Sequence, residues 1–271
     1  MLELLEHLFR QVRTYVHSER FDRHKVYSQV SAHTTMQFDR DAEDIIIAGL
    51  IESSIGFEIL TEERPPFSTV STPAYRIVID PIDGSTNVAR GIMTAGVSLA
   101  VLPIDAPILP EHVQWALVGE LFSGTVYQAQ RGEGAFCNGQ SCKVSEARNL
   151  RQCLIGLNLD GRNPDALRAL LTEEPLLEKV RRTGSSAMDT VYVASGTYDA
   201  YIDVGNILTG ESFLASSSIV LEAGGIVSDH LGKPLRPITN LTEGYSVVVA
   251  GTKELHEAIL LRLHRGVNRT S

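Results

Sequence analysis

The residues best suited to chemistry lie together in one octapeptide, Asp80-Pro81-Ile82-Asp83-Gly84-Ser85-Thr86-Asn87. It directly follows YRIVI (75–79), a β-prone run that predicts a buried strand. Two carboxylates three residues apart at a strand's end can converge on one cation, and Pro81 sets a rigid turn between them. Mg²⁺ takes hard oxygen ligands and keeps several waters, for which two carboxylates and one backbone carbonyl leave room. Gly84-Ser85-Thr86 then offers N–H groups at a helix start, suited to cradling a phosphate. Carboxylates for a metal beside N–H groups for a phosphate point to metal-assisted phosphoryl transfer. The same residues also suit a solvated turn that caps a helix, and the octapeptide by itself leaves both readings open.

No competing chemistry is written in the chain. GxSxG, HExxH, the Walker A loop and GxGxxG are all absent from the sequence. The eight histidines are scattered without ligand spacing. Cys137, Cys142 and Cys153 are odd in number and include no CxxC, which argues against a disulfide framework and a zinc ribbon and predicts reduced thiols. Acids outnumber bases 33 to 24, for a formal charge of −9. Such a surface gains nothing from counterion release on a polyanion, so nucleic acid is not expected as a partner, whereas divalent cations are favoured. No apolar run approaches the roughly 18 residues that span a bilayer. Glu3 and Glu6 stand where an export signal carries basic residues, so the expected location is cytoplasmic, with no membrane partner.

The elements that must position the octapeptide follow from periodicity. Residues 2–18 predict an amphipathic helix with Leu5, Leu8, Phe9, Val12 and Val16 inward. Residues 41–54 predict a second helix, with 28–41 between them as a loop or short hairpin. FEIL (57–60) is a strand candidate and 62–73 a Pro-rich loop. Residues 95–101, 113–121 and 124–129 predict an antiparallel meander, and Asn138-Gly139 a tight hairpin. From about residue 149 the pattern alternates. Strands are expected at 153–159, 198–204 and 245–251, with helices at 164–172, 186–195, 213–223 and 253–264. The chain therefore divides into an N-terminal α+β part, 1–148, carrying the octapeptide, and a C-terminal α/β part, 149–271, within one continuous unit.

DPIDGSTN closely resembles the signature of the inositol monophosphatase-like phosphatases, the lithium-sensitive, Mg²⁺-dependent sugar phosphatases related to fructose-1,6-bisphosphatase. Three further segments agree in order and spacing: GAFCNGQSCKVS (134–145), GSSAMDTVYVASGTYDAYID (184–203) and Glu222-Ala223-Gly224-Gly225. The resemblance implies a layered α-β-α-β-α sandwich, a homodimer, and two or three Mg²⁺ ions acting on a small phosphorylated polyol or sugar. It also implies roles. Glu62 matches an acid that binds the first metal and positions the attacking water. Asp80 matches a carboxylate bridging two metals, Asp83 a ligand of the second, and Ile82 a carbonyl ligand. Gly84 and Ser85 would hold the phosphate through backbone N–H groups, and the Ser85 hydroxyl would help orient the water. Asp39 matches a more distant catalytic acid near a weak third metal, with Asp41 as its competitor. Asp203 lies where substrate hydroxyls are contacted.

One position departs from the pattern. Ten residues before Glu222 the family carries an aspartate that ligates the second metal and touches substrate; this chain has Ser212, preceded by Glu211. Three readings follow. Glu211 supplies the oxygen; or the second metal rests on Asp80, Asp83 and substrate alone, weakening the enzyme and its lithium sensitivity; or the chain binds phosphate and metal without turnover. Ser212 also suits capping of a helix that starts at Phe213. The expected function is hydrolysis of inositol 1-phosphate by metal-activated water. Fructose 1,6-bisphosphate (alone or as a dual activity) and 3′-phosphoadenosine 5′-phosphate are the alternative substrates. Arg181-Arg182 reads either as a solvated helix end or as a contact for a substrate's second phosphate.

Overall fold

A computed structural model describes residues 1–30, 33–62, 64–162, 164–174 and 177–267. In the N-terminal part the elements are α1 (Leu2–Val16), β1 (Val26–Val30), β2 (His33–Met36), α2 (Gln37–Glu52), β3 (Phe57–Thr61), β4 (Arg64–Ser68), β5 (Tyr75–Asp83) and α3 (Ser85–Arg90). The meander follows as β6 (Gly96–Pro103), β7 (Trp115–Glu120), β8 (Val126–Gln130), β9 (Gly134–Cys137) and β10 (Gln140–Cys142). The remainder is β11 (Leu154–Leu157), α4 (Pro164–Thr172), β12 (Lys179–Arg181), α5 (Ser186–Ala194), β13 (Ala200–Leu208), α6 (Gly210–Glu222), β14 (Ile226–Ser228), β15 (Tyr245–Ala250) and α7 (Lys253–Val267).

Two sheets organise the molecule. One has eight strands in the order β10-β9-β8-β7-β6-β5-β3-β4, antiparallel except where β3 runs parallel to β5. The other has five, β12-β11-β13-β15-β14, parallel around β11 and antiparallel around β15. Helices α5 and α6 pack between the sheets, α1 and α2 cover the outer face of the first, and α4 and α7 cover the second. The layers run α-β-α-β-α, as the resemblance implies. Three apolar clusters fill the four interfaces: one on the α1/α2 side, one around α5 and α6, and one under α4 and α7.

The packing explains the sequence patterns. Helix α1 buries Leu5, Leu8, Phe9, Val12 and Val16, a single stripe at helical spacing. It lies so close to β7 that a Cβ at Gly119 would fall 2.3 Å from the Phe9 ring. Helix α6 has a sheet on each side and is buried on nearly every face, and the polar positions in its middle are small serines, Ser216, Ser217 and Ser218. Strand β15, covered by helices on both faces, reads as a nearly continuous apolar run, and β13 is buried over Ala200–Val204 before it emerges at Gly205.

Several boundaries differ from expectation. Of the 28–41 stretch only the part up to Met36 belongs to a hairpin, β1–β2, and Gln37–Asp41 are helical; Ser31 and Ala32 lie outside the described residues. The second helix begins at Gln37, because the Asp39 carboxylate reaches back to the Met36 N–H and caps it. Part of the Pro-rich loop is strand β4, tolerable because β4 is an edge strand whose prolines need not donate to a neighbour; Glu63 lies outside the described residues. Helix α6 starts at Gly210 with Thr209 as its N-cap residue, so Glu211 and Ser212 lie inside its first turn and Ser212 does not cap it. Arg181 ends strand β12 and is not at a helix end. Among the described residues no helix is long and apolar enough to cross a membrane.

Candidate active site

Strand β5 carries the octapeptide into a cavity of about 540 Å³. The β5–β6 ladder runs in register to Asp80–Ser98 and resumes at Asp83–Gly96, so a bulge lies between the two aspartates. A bulge re-aims side chains that strict alternation would send to opposite faces. Both aspartates, Ile82 and the Gly84–Asn87 turn line the cavity. Gly84 sits at φ +103° as the N-cap of α3, a left-handed conformation that favours glycine.

Other elements close the walls. The first turn of α2 brings Asp39, the end of β3 brings Glu62, and the first turn of α6 brings Ser212. Ser85 Oγ lies 2.6 Å from Asp39 Oδ1 and 2.9 Å from the Ile82 carbonyl oxygen. Its single proton is best donated to the carboxylate, the stronger acceptor. Asp41, by contrast, accepts from Tyr15 Oη at 2.6 Å and Gln37 Nε2 at 2.8 Å, and it does not line the cavity. The helix register thus selects Asp39 over its neighbour.

The acids are held in an unfavourable state. Burial pushes the Asp80 carboxyl well above the usual carboxylate range, the charges of Asp83, Glu62 and Glu211 push it further, and a hydrogen bond from Ser212 opposes them. Burial raises Asp83 to about 6 against hydrogen bonds from the Ser185 hydroxyl and the Ala187 N–H. Burial likewise raises Glu211 to about 7. Like charges crowded in a low-dielectric pocket raise each other's proton affinity, and a bound cation reverses that.

Of the acids at and behind this cavity, Asp80 and Glu211 each keep one buried carboxylate oxygen without a hydrogen-bond partner, Oδ1 and Oε2 respectively. An orphaned, buried carboxylate oxygen is costly unless something else satisfies it. Hard oxygens from Asp80, Asp83, Glu62 and the Ile82 carbonyl suit Mg²⁺ better than a softer metal. As the side chains stand, no three carboxylate, histidine or cysteine groups among the described residues close into a finished cation cage. Glu211 is not on the cavity wall, although its charge is felt at Asp80.

Of the sequence candidates, the structure therefore gathers Asp39, Glu62, Asp80, Ile82, Asp83, Gly84, Ser85 and Ser212 around one cavity. It does not bring Asp203 there. That side chain is fully buried and engaged by Arg162, Asn158 and Tyr201. Two wall residues are not singled out by the sequence, Asp160 and Gly184, and Arg182, one of the two arginines with two open readings, lines the same cavity. Asp160 had no signal, since it stands in an unpatterned loop. Gly184 opens the 184–203 segment of the resemblance, but nothing local in the sequence marks it as a wall residue. Asn87 Nδ2 donates to the Thr94 and Thr183 carbonyls at 2.8 and 2.7 Å, so the loop must press against the octapeptide. Another cavity of similar size, about 520 Å³, lies beside α1 among Glu6, Arg10 and Arg13, and no octapeptide residue lines it.

Comparisons with known proteins identify the family and the fold. The model of the inositol monophosphatase family matches residues 2–267. A fructose-1,6-bisphosphatase/inositol-1-monophosphatase of Methanothermobacter thermautotrophicus is 32% identical over 235 residues, covering 84% of this chain and 83% of that one. An inositol-1-monophosphatase of Mesorhizobium japonicum is 33% identical over 228 residues, covering 83% and 80%. The crystal structure of an extragenic suppressor protein from Bartonella henselae superposes with a TM-score of 0.82 at 26% identity over 98% of both chains.

Proposed function

Since the chain belongs to the inositol monophosphatase family of phosphomonoesterases, we propose that it hydrolyses inositol 1-phosphate or a similar small sugar phosphate, with Mg²⁺ as cofactor. The observation that carries this reading is one cavity uniting the Asp80/Asp83 carboxylates, the Gly84–Ser85 turn and the Ser85–Asp39 hydrogen bond. A homodimer and a cytoplasmic location belong to the same proposal.

Asp80, Asp83, Glu62 and the Ile82 carbonyl would hold the cations, with Glu211 as a carboxylate in reserve behind them. When bound, divalent cations supply positive charge to the phosphoryl oxygens and the leaving oxygen. The chain does the rest. The N–H groups of Gly84 and Ser85 bind the phosphate, aided by the positive end of a helical turn. Ser85 Oγ donates to Asp39, which leaves its lone pairs to accept from the attacking water. As that water loses its proton to Ser85 Oγ, the Ser85 proton passes to Asp39 Oδ1. Attack is in line, and no side chain becomes phosphorylated. Asp39 needs no activation by a third group, because its other oxygen is already fixed by the Met36 N–H at 3.1 Å.

A second reading is favoured by one observation. Ser212 replaces a carboxylate, and its hydroxyl bonds Asp80 Oδ2 at 3.1 Å. On that reading the second cation is weakly held and the chain is an impaired enzyme or a binding protein. Phosphate release from inositol 1-phosphate, fructose 1,6-bisphosphate and 3′-phosphoadenosine 5′-phosphate, with Mg²⁺ and with EDTA, decides. Mg²⁺-dependent turnover supports the phosphatase; silence on all three from folded protein supports the binding member.

A further inference from the structure

We infer that Asp160 and Arg182 form a specificity pair that reads the hydroxyls of a neutral polyol, held in register from behind by the buried Asp203–Arg162 pair. The inference deepens the phosphatase reading and rests on it.

The rear of the arrangement is rigid. Arg162 Nε and Nη2 donate to Asp203 Oδ1 and Oδ2 at 2.8 and 2.6 Å, a two-pronged fork. The Asp203 side chain is 0% exposed and that of Arg162 6%. Asn158 Nδ2 donates to Asp203 Oδ2 at 2.9 Å. Both of these partners then grip Asp160 by its backbone. Arg162 Nη1 donates to the Asp160 carbonyl at 2.6 Å, and the Asp160 N–H donates to Asn158 Oδ1 at 3.1 Å. Asp203 is thus a positioning residue, acting on the cavity through Arg162 and Asn158.

The front is exposed to the ligand. The Asp160 carboxylate pairs with Arg182 Nη2, and both residues line the same cavity as the octapeptide. A carboxylate only accepts and a guanidinium only donates, whereas each hydroxyl of a polyol does both. Neighbouring hydroxyls can therefore bridge the pair without breaking its charge balance. A second phosphate fits them poorly. It offers acceptors alone, so at the pair it would meet the Asp160 carboxylate and compete with it for the single guanidinium of Arg182. Like charge placed against a partner is an effective means of rejecting it.

Asp160→Asn and Arg182→Met test this, assayed with Mg²⁺ on inositol 1-phosphate, fructose 1,6-bisphosphate and p-nitrophenyl phosphate, whose leaving group has no hydroxyl beyond the reacting oxygen. The ratio of kcat/KM for inositol 1-phosphate to that for p-nitrophenyl phosphate should fall about tenfold or more in each variant, chiefly through KM. The Asp160 side chain is 71% exposed, so its variant is not at risk of misfolding. Arg162→Lys should lower the same ratio, and that effect should vanish in an Asp160→Asn background, since both act through one loop. Unchanged ratios, or a loss confined to fructose 1,6-bisphosphate in Arg182→Met, overturn the pair while leaving the phosphatase standing. No Mg²⁺-dependent release from any of the three by the unaltered chain overturns both.

Discussion

Ser212 Oγ donates to Asp80 Oδ2 at 3.1 Å, so a serine hydroxyl meets a carboxylate proposed to hold the cations. The other Asp80 oxygen has no partner. The geometry separates two properties that a carboxylate at position 212 would join. A hydroxyl relieves Asp80 in the metal-free protein, and it is a poor cation ligand. Ser212→Asp should therefore tighten Mg²⁺ binding, measured by titration calorimetry, by about tenfold or more, one added charge–cation contact being the cause. The same change should lower the thermal midpoint of the metal-free protein, because a further carboxylate would face Asp80, Asp83 and Glu211. Tighter binding without that loss of apo stability would contradict the account.

Glu211→Gln tests the acid behind it. Burial holds this carboxyl near 7, so at pH 8 the folded state keeps a charge that it would rather neutralise. Against an unfolded value near 4.5, that costs on the order of 3 kcal/mol in the metal-free protein. The amide removes the charge and keeps the shape, so urea unfolding at pH 8 should show a stabilised apo protein. Mg²⁺ affinity should fall if Glu211 serves as the reserve ligand; an unchanged affinity removes it from the metal set.

Linkage fixes how metal dependence varies with pH. Asp80, Asp83, Glu211 and Asp189 all have folded values raised by burial, to about 6 for Asp83 and about 7 for Glu211 and Asp189. The folded state thus holds more protons than the unfolded chain between about pH 4 and 7. Their contribution to stability is full below the unfolded value and is lost as pH rises through the folded ones. Mg²⁺ competes with those protons. The rise in thermal midpoint on adding Mg²⁺ should therefore be small at pH 5 and large at pH 8. An equal rise at both would mean that the cation binds elsewhere.

What the sequence disclosed and what it hid follow from range. The octapeptide, the strand before it and the stripe of α1 are local patterns, and each was legible. So was Asp39, though only through resemblance, because its place depends on the start of α2, which a backbone cap from Asp39 itself sets at Gln37. Position 211 and position 212 misled for the same reason: whether a serine caps a helix or lies inside it turns on one residue of register, and Thr209 takes the cap. Asp203 shows the deeper limit. The resemblance puts it at a substrate contact, but Arg162 is 41 residues away and no periodic pattern announces that pairing. Asp160 and Arg182 come together only because β11 and β12 lie side by side in the second sheet.

Asp83→Asn separates charge from shape. Asp83 Oδ2 accepts from the Ser185 hydroxyl and the Ala187 N–H, and an asparagine carbonyl oxygen can accept both. The fold should survive, with a thermal midpoint in the metal-free protein equal to or above that of the parent, since a buried charge is lost. Hydrolysis should fall by at least about a hundredfold in kcat/KM, the effect of removing one anionic ligand from a cation that stabilises several kcal/mol of developing charge. Retained turnover would displace Asp83 from the metal assignment.

Gly184→Ala probes how the two halves of the site are held together. Gly184 sits at φ +87°, and a Cβ there would lie 2.8 Å from Asn87 Oδ1 and 3.0 Å from Asn87 Nδ2. Asn87 spans from the octapeptide turn to the Thr183 carbonyl, so the added methyl must either expel this bridge or push the 183–184 loop outward. The left-handed backbone alone costs an alanine about 1 kcal/mol, and a broken buried hydrogen bond adds about 1–3. Both displacements move the loop that carries Arg182 relative to the turn that binds phosphate. The expected result is a lower thermal midpoint together with a loss of kcat/KM that persists at temperatures where the variant is fully folded. Asn87→Ala makes the room that the methyl needs. If the clash is the cause, Gly184→Ala should cost less stability in that background than in the parent, and equal costs would place the whole effect in the backbone of residue 184.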